Sequence, residues 1–353
     1  MQILVIRFRF LGDTVLTVPF LRNLRRAEPE ARIVWMVAPG DAEVVKGIPY
    51  VDEFIFWDTR KESDGRPGAH RTLAGKISFV RELRRRRFDK VYVLKRSFSS
   101  ALMALLSGAR RRIGFDTEWR APLLTRRVAY RAKQHEVECF LDLLRADGIP
   151  TPDNHLETWL SPDEDAFAAD FLERTGFKPG EAVVGLHPFC ANPPRGWHED
   201  DFVAVANEVQ RRYGVRILIF GGKQDQGLAE KMRQRIAPAA VSLAGRTSLR
   251  ESMALLARCT AFVCNDSGVM HLGAALGVPL VALFGPQSPA KFGPWTKNAR
   301  VVYHAFPCSP CRQKFFTECA PSARGKPACM EAITVREVLD ALDSLGVLPP
   351  AGC

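Results

Sequence analysis

No stretch of this 353-residue sequence approaches the ~18 consecutive apolar residues that read as a membrane-spanning helix. The first apolar run, Ile3 to Ile6, is cut off by Arg7 and Arg9. That is too short for the core of a signal peptide, so a cytoplasmic protein is expected. No G-x-G-x-x-G follows this run and no P-loop lysine motif occurs, which disfavours the usual NAD and ATP folds. Basic motifs interleaved with aromatics are also missing, and no nucleic-acid-binding module is recognisable. A nucleic-acid partner is therefore not expected.

What is present is an ordinary globular composition, 46% hydrophobic and 25% charged. The length exceeds what one hydrophobic core usually supports, so two domains are expected. The charge is uneven. Net charge is +11, and residues 1–160 hold 29 Lys and Arg against 20 Asp and Glu, while residues 161–353 hold 21 against 19. RELRRRRFDK (81–90), ARRR (109–112) and the arginines from Arg120 to Arg131 lie in the first half. Any one of these clusters can be a solvated helix face. Their concentration in one half favours an anionic partner.

Strand-like and helix-like patterns alternate throughout. ILVIRF (3–8), ARIVWMVAP (31–39), FIFWD (54–58) and VYVLK (91–95) read as short buried strands. Helical patterns separate them, one running to about Ala27 with Pro19 either kinking it or opening its regular part, another over ISFVRELRRRRFDK. Residues 59–75 are polar and glycine-rich and read as a mobile loop. Prolines and acids at 149–165 mark a domain junction, after which the alternation restarts through AVVGLHP, VRILIFGG, AFVCND and VPLVALFG. Strands separated by helices imply parallel pairing, hence an α/β fold with two doubly wound sheets. Ligands of such sheets bind outside the carboxyl ends of the strands.

Two motifs point to chemistry. Asp13 follows Gly12 between the first strand and a helix, as either a helix N-cap or an active-site carboxylate. A helix N-terminus there favours its ionised form. In AFVCNDSGVMHLGAALGVPLVALFGPQSP (261–289), Asp266-Ser267-Gly268 closes a strand and opens a helix. Free N–H groups and the positive dipole end of such a helix bind phosphate. Gly268 admits a ligand close to the backbone, and His271 lies one turn further on, able to donate to an anionic oxygen. The bland alternative is a capping Asp266 and a core His271.

The stretch GVMHLGAALGVPLVALFGP after NDS closely resembles the donor-site signature of the lipopolysaccharide core heptosyltransferases, glycosyltransferase family 9. The opening RFRFLGDTVLTVP resembles that family's R/K-x-x-x-x-G-D-x-x-x-x-x-P, and FGGKQD (220–225) and AGRTSLRESMALL (244–256) follow in order. The resemblance implies a GT-B fold, two Rossmann-like parallel-sheet domains facing across a cleft. It implies an acceptor-binding domain over 1–157, an ADP-sugar-binding domain over 158–335, and a terminal helix and tail over 336–353. The implied reaction is inverting transfer of heptose from ADP-L-glycero-β-D-manno-heptose to the lipid A–Kdo inner core of lipopolysaccharide, without an essential metal or other cofactor. The family's catalytic carboxylate falls on Asp13, acting as general base. Its donor-binding residues fall on Asp266, Ser267, Gly268 and His271. A basic residue before tryptophan matches Arg195 in Arg195-Gly-Trp197, the acid after the G-G turn matches Asp225, and Thr247 lies where the nucleoside is held. The basic first half suits a phosphate- and carboxylate-rich acceptor, with Arg120 and its neighbours as candidates. It also suits peripheral contact with the anionic cytoplasmic leaflet of the inner membrane.

The chain departs from the pattern in places. Arg9 and Phe10 stand where some members carry hydroxyl residues, and HPFCANPPRGW (187–197) has Arg for the usual Lys and lacks a Thr-Thr pair. Cys308, Cys311, Cys319 and Cys329 have a spacing compatible with a small zinc knuckle or with reduced structural thiols. Asp163-Glu164-Asp165 and Glu199-Asp200-Asp201 read as acids at helix starts. The competing functions are another GT-B enzyme using a different nucleotide sugar, a basic nucleic-acid-binding protein, and a member that binds donor without transferring it.

Overall fold

The computed structural model describes residues 1–59, 68–236, 240–311, 313, 319 and 322–349. The chain divides into two compact units, Met1–His155 and Leu156–Cys353.

The first unit runs β1 (Gln2–Ile6), α1 (Leu11–Ala27), β2 (Arg32–Val37), α2 (Pro39–Ala42), β3 (Glu53–Phe56), α3 (Leu73–Arg85), β4 (Lys90–Val93), α4 (Phe98–Leu106), β5 (Arg111–Phe115), β6 (Arg126–Val128) and α5 (Glu136–Ala146). Its six strands lie in the order β3-β2-β1-β4-β5-β6. Pairing is parallel throughout, Leu4 lying beside Val34 on one side and Val91 on the other. Ile3, Leu4, Val5 and Ile6 are wholly buried, as an unbroken apolar strand must be when helices cover both faces.

The second unit runs α6 (Pro162–Arg174), β7 (Val183–His187), α7 (Glu199–Tyr213), β8 (Arg216–Ile219), α8 (Gln226–Arg235), β9 (Ala240–Ser242), α9 (Leu249–Ala257), β10 (Ala261–Asn265), α10 (Gly268–Ala275), β11 (Leu280–Phe284), α11 (Pro289–Phe292) and β12 (Ala299–Tyr303), then helices Ala328–Glu331 and Val335–Asp343. Its order is β12-β11-β10-β7-β8-β9, again all parallel and the same winding as the first. The terminal helix buries Val338, Leu339 and Leu342 in this unit's core. Both sheets reverse direction of winding beside their first strand, between β1 and β4 and between β7 and β10, where ligands of such sheets bind.

The alternation read from the sequence is observed, with shifted bounds. Pro19 lies inside α1, which continues to Ala27. Of the expected loop over 59–75, residues 60–67 lie outside the described residues. The helix after it starts at Leu73, earlier than the apolar pattern indicates, because the Thr72 side chain caps it by accepting from Gly75 N–H. The two acidic triplets do begin helices, and Ser161 and Glu164 form a reciprocal capping box. Among the described residues, no helix is long and apolar enough to cross a membrane.

Candidate active site

In the first unit, the turn leaving β1 carries Arg7 to Phe10. Arg9 and Phe10 both adopt left-handed backbone, φ 74° and 68°. Each such non-glycine residue costs on the order of 1–3 kcal/mol, a cost that persists only where the surroundings impose it. Asp13 does not cap α1. Phe10 occupies the N-cap position, no side chain caps this end, and Asp13 is the third helical residue. Its carboxylate forms an ion pair with the buried guanidinium of Arg7 and keeps 18% exposure. Burial raises the affinity of Asp13 for a proton; Arg7 opposes this and Glu136 adds to it. The net direction is upward, with burial the largest cause. A carboxylate shifted this way is a stronger base.

Lys95, just past β4, sets its ammonium 5.0 Å from the centre of the Phe8 ring. Burial, then the nearby charges of Arg7 and Arg9, bring its pKa down to about 8. Arg120 is not a surface cation. It is fully buried and donates to the carbonyls of Phe115 and Lys95, at 2.9 and 2.7 Å, and to Thr117 Oγ1. This corrects its placement among the acceptor-binding arginines. Its guanidinium is consumed in tying the turn after β5 to the turn after β4.

In the second unit, Asp266, Ser267, Gly268 and His271 lie at the end of β10 and the start of α10. Asp266 is 4% exposed, and its Oδ2 has no hydrogen-bond partner. Arg195 Nη1 lies 3.4 Å from that oxygen. Burial pushes the Asp266 pKa up to about 6, with Arg195 pulling against it. Ser267 holds the N-cap position of α10 without capping it, and its Oγ lies 3.5 Å from His187 Nδ1 on the adjacent strand. His187 is pushed down to about 4 by burial, so it is neutral at physiological pH. His271 is buried in the first turns of α10. Asp225 and Thr247 leave the same carboxyl edge, after β8 and β9. Asp225 turns back onto its own loop, accepting from Gly222 N–H at 2.8 Å. Thr247 shares a 2.7 Å hydrogen bond with Ser252. Gly245 joins the two loops. At φ 70°, a Cβ there would lie 3.3 Å from Lys223 Cα and from Gln226 Oε1.

Three residues with structural roles here were not singled out by the sequence reading. Asn265 is fully buried, accepts from Trp197 N–H at 3.0 Å and donates to the Pro188 carbonyl at 2.7 Å. It fastens the Arg195-Gly-Trp197 turn to the end of β10. Its polar side chain closing an apolar strand was the available signal. Arg7 stood in the opening motif but without a role. Gln313 accepts from Arg195 Nε at 2.8 Å, a contact no local pattern indicates.

The eight described cysteines are free thiols. Cys329 is pushed up to about 11 by burial and then by the neighbouring sulfurs of Cys319, Cys308 and Cys311. Among the described residues, no three His, Cys, Asp or Glu side chains are arranged to hold a metal ion.

This architecture recurs in known proteins. A solved structure titled as Escherichia coli ADP-heptose LPS heptosyltransferase II superposes with a TM-score of 0.77 at 26% identity, covering 98% of each chain. The fold is accordingly α/β of GT-B type. Lipooligosaccharide heptosyltransferase 2 of Haemophilus ducreyi is 30% identical over 86% of this chain and 88% of its own. Lipopolysaccharide heptosyltransferase 2 of E. coli K12 is 29% identical over the same shares. The model of glycosyltransferase family 9 (heptosyltransferase) matches residues 76–319. Both the sequence signature and the paired sheets meet in one assignment: the chain belongs to glycosyltransferase family 9 and is a glycosyltransferase.

Proposed function

We propose that the enzyme transfers heptose from ADP-L-glycero-β-D-manno-heptose to the lipid A–Kdo inner core of lipopolysaccharide, with inversion. What carries this reading is the pairing of Arg195 with the unpartnered Asp266 oxygen at the open end of α10. Its support for the sugar is the likeness to a chain titled an ADP-heptose heptosyltransferase.

In this reading the diphosphate sits at the N-terminus of α10, met by its free N–H groups, by Arg195 and by His271. The ionised Asp266 carboxylate is acceptor-only, so its free oxygen suits a donor hydroxyl. Gly268 lets the diphosphate approach the backbone, Ser267 holds the turn, and Asp225 and Thr247 face the nucleoside. Asp13 takes the proton of the acceptor hydroxyl as that oxygen bonds to the anomeric carbon and ADP leaves. General-base assistance of this kind contributes roughly 10²–10⁴-fold. The leaving group's charge falls to protein donors, so no metal is required by the reading. The acceptor is lipid-linked, and the enzyme works against the anionic cytoplasmic leaflet as a peripheral protein.

The test is donor and acceptor screening with purified enzyme. ADP-heptose turnover on heptose-free inner core, with an inverted anomeric centre in the product by NMR, is expected. Turnover of a UDP-sugar in place of ADP-heptose would overturn the donor assignment.

A further inference from the structure

Arg195 brings a long side chain to the diphosphate in the reading above, and the structure holds that side chain from two strands away. Asn265 fastens only the backbone of its turn. The guanidinium itself has one hydrogen bond among the described residues: its Nε–H donates to the side-chain oxygen of Gln313 at 2.8 Å. Its Nη1, 3.4 Å from Asp266 Oδ2, makes an ion pair at longer range than a hydrogen bond. The same Gln313 oxygen accepts from Asn192 Nδ2. Asn192 occupies the N-cap position of the short turn Pro193–Arg195. One carbonyl oxygen thus uses both lone pairs on a single turn. The two donors also settle which end of the amide is oxygen, since the flipped form would set N–H against N–H.

Gln313 is mounted on a different strand from Arg195. Strands β7, β10 and β11 lie side by side. Arg195 follows β7, Asp266 ends β10, and the turn carrying Gln313 rests on the end of β11. There Cys311 N–H donates to the Pro286 carbonyl at 3.0 Å, and Ser309 Oγ donates to the Gly285 carbonyl. Gln313 N–H closes the turn by donating to Cys311 Sγ at 3.3 Å. Gln313 is half-buried and its backbone is left-handed, φ 62°. A non-glycine residue keeps that conformation only where its surroundings impose it. Here it delivers the amide oxygen to Arg195.

We propose that Gln313 is a positioning residue for the transfer reaction. It holds the Arg195 guanidinium by Nε, beside Asp266, so that the remaining N–H groups meet the diphosphate of the sugar nucleotide. The proposal rests on the reading of a diphosphate at the start of α10, and it adds to that site a group supplied from the far side of β10. A neutral amide suits the task. It accepts from Arg195 without cancelling the charge that the diphosphate needs, whereas a carboxylate would compete with phosphate for the same fork. Fixing Arg195 before the donor arrives also removes side-chain ordering from the binding step.

The test is a double-mutant cycle on ADP affinity, measured by isothermal titration of the full-length protein. Gln313→Met keeps the approximate volume and removes the acceptor. It is expected to weaken ADP binding about 3- to 10-fold, less than Arg195→Ala does. Binding of adenosine, which has no phosphate, should be unchanged. In the Arg195→Ala background the same substitution should weaken ADP binding no further, because Gln313 acts only through Arg195. An undiminished effect in that background would overturn the proposal. So would equal loss of ADP and adenosine binding, which would make Gln313 a support for the unit as a whole. Wild-type ADP affinity in Gln313→Met, beside a loss in Arg195→Ala, would sink the proposal and leave the diphosphate reading standing. Wild-type ADP affinity in Arg195→Ala would sink that reading itself, and the proposal with it.

Discussion

Arg195 Nη1 lies 3.4 Å from Asp266 Oδ2, an oxygen with no hydrogen-bond partner of its own. The pair sets both the phosphate-binding charge and the proton affinity of Asp266, since Arg195 is what holds the Asp266 pKa down. Arg195→Ala is therefore expected to weaken ADP-donor binding roughly 10- to 100-fold, the worth of one charged hydrogen bond. Arg195→Lys should recover part of the loss, keeping the charge without the planar fork. Isothermal titration with ADP measures both. The same Ala variant should also shift the acid limb of the pH profile upward, which a purely structural Arg195 would not do.

The acid limb follows from Asp266 itself. With a folded pKa of about 6, it carries a proton below that value and loses its acceptor-only form. kcat/KM should rise with pH up to about 6 and then level, with Asp13 contributing in the same direction because its affinity for a proton is also raised. Stability should run the other way. A folded pKa above the unfolded value gives stability that is full below about pH 4 and lost as pH rises through about 6. Asp266→Asn should therefore raise stability at pH 7, by up to about 3 kcal/mol, while lowering activity. An activity profile flat from pH 4.5 to 7 would refute the assignment.

Asp13→Asn keeps the volume and removes the base. The expected loss in kcat is roughly 10²–10⁴-fold, with ADP affinity unchanged because Asp13 belongs to the other unit from the donor residues. Steady-state kinetics together with ADP titration separate the two quantities. Full activity in this variant would remove Asp13 from the chemistry.

Asn265→Ala strips partners from the buried Trp197 N–H and the Pro188 carbonyl. Each buried group left unsatisfied costs about 1–3 kcal/mol. A lower melting temperature is expected, and a higher donor KM with little change in kcat, because the turn carrying Arg195 loses its anchor. Asn265→Asp keeps the acceptor for Trp197 but sets a buried carboxylate against the Pro188 carbonyl, so it should melt lower than Asn265→Ala at neutral pH.

Arg120→Met leaves the carbonyls of Phe115 and Lys95 without their donor, again at about 1–3 kcal/mol each. Its signature is lost stability by thermal melting. Substitution of the exposed Arg110 should leave the melt within about 0.5 kcal/mol of wild type.

Much of the fold was legible because its signals are local. ILVI reads as a strand buried on both faces, and it is. Asp266-Ser267-Gly268 reads as a strand end opening a helix, and it does. The start of α3 is not legible from apolar periodicity because it depends on the Thr72 cap. Of the two alternatives for Asp13, the N-cap is ruled out only by the structure, because a carboxylate after glycine looks alike at the N-cap and at the third helical position. Only the backbone of Arg9 and Phe10 distinguishes them.

The sequence alone determined the alternation of strand and helix, the doubling of the sheet and the residues at the carboxyl ends of β1 and β10, since periodicity and turn chemistry act over a few residues. The tertiary structure decided which charges meet. It buried Arg120 against backbone carbonyls, set Arg7 on Asp13 and Arg195 on Asp266, and raised the proton affinity of both acids. Desolvation and Coulomb energy depend on distance and burial in space, and neither can be read from spacing along a chain.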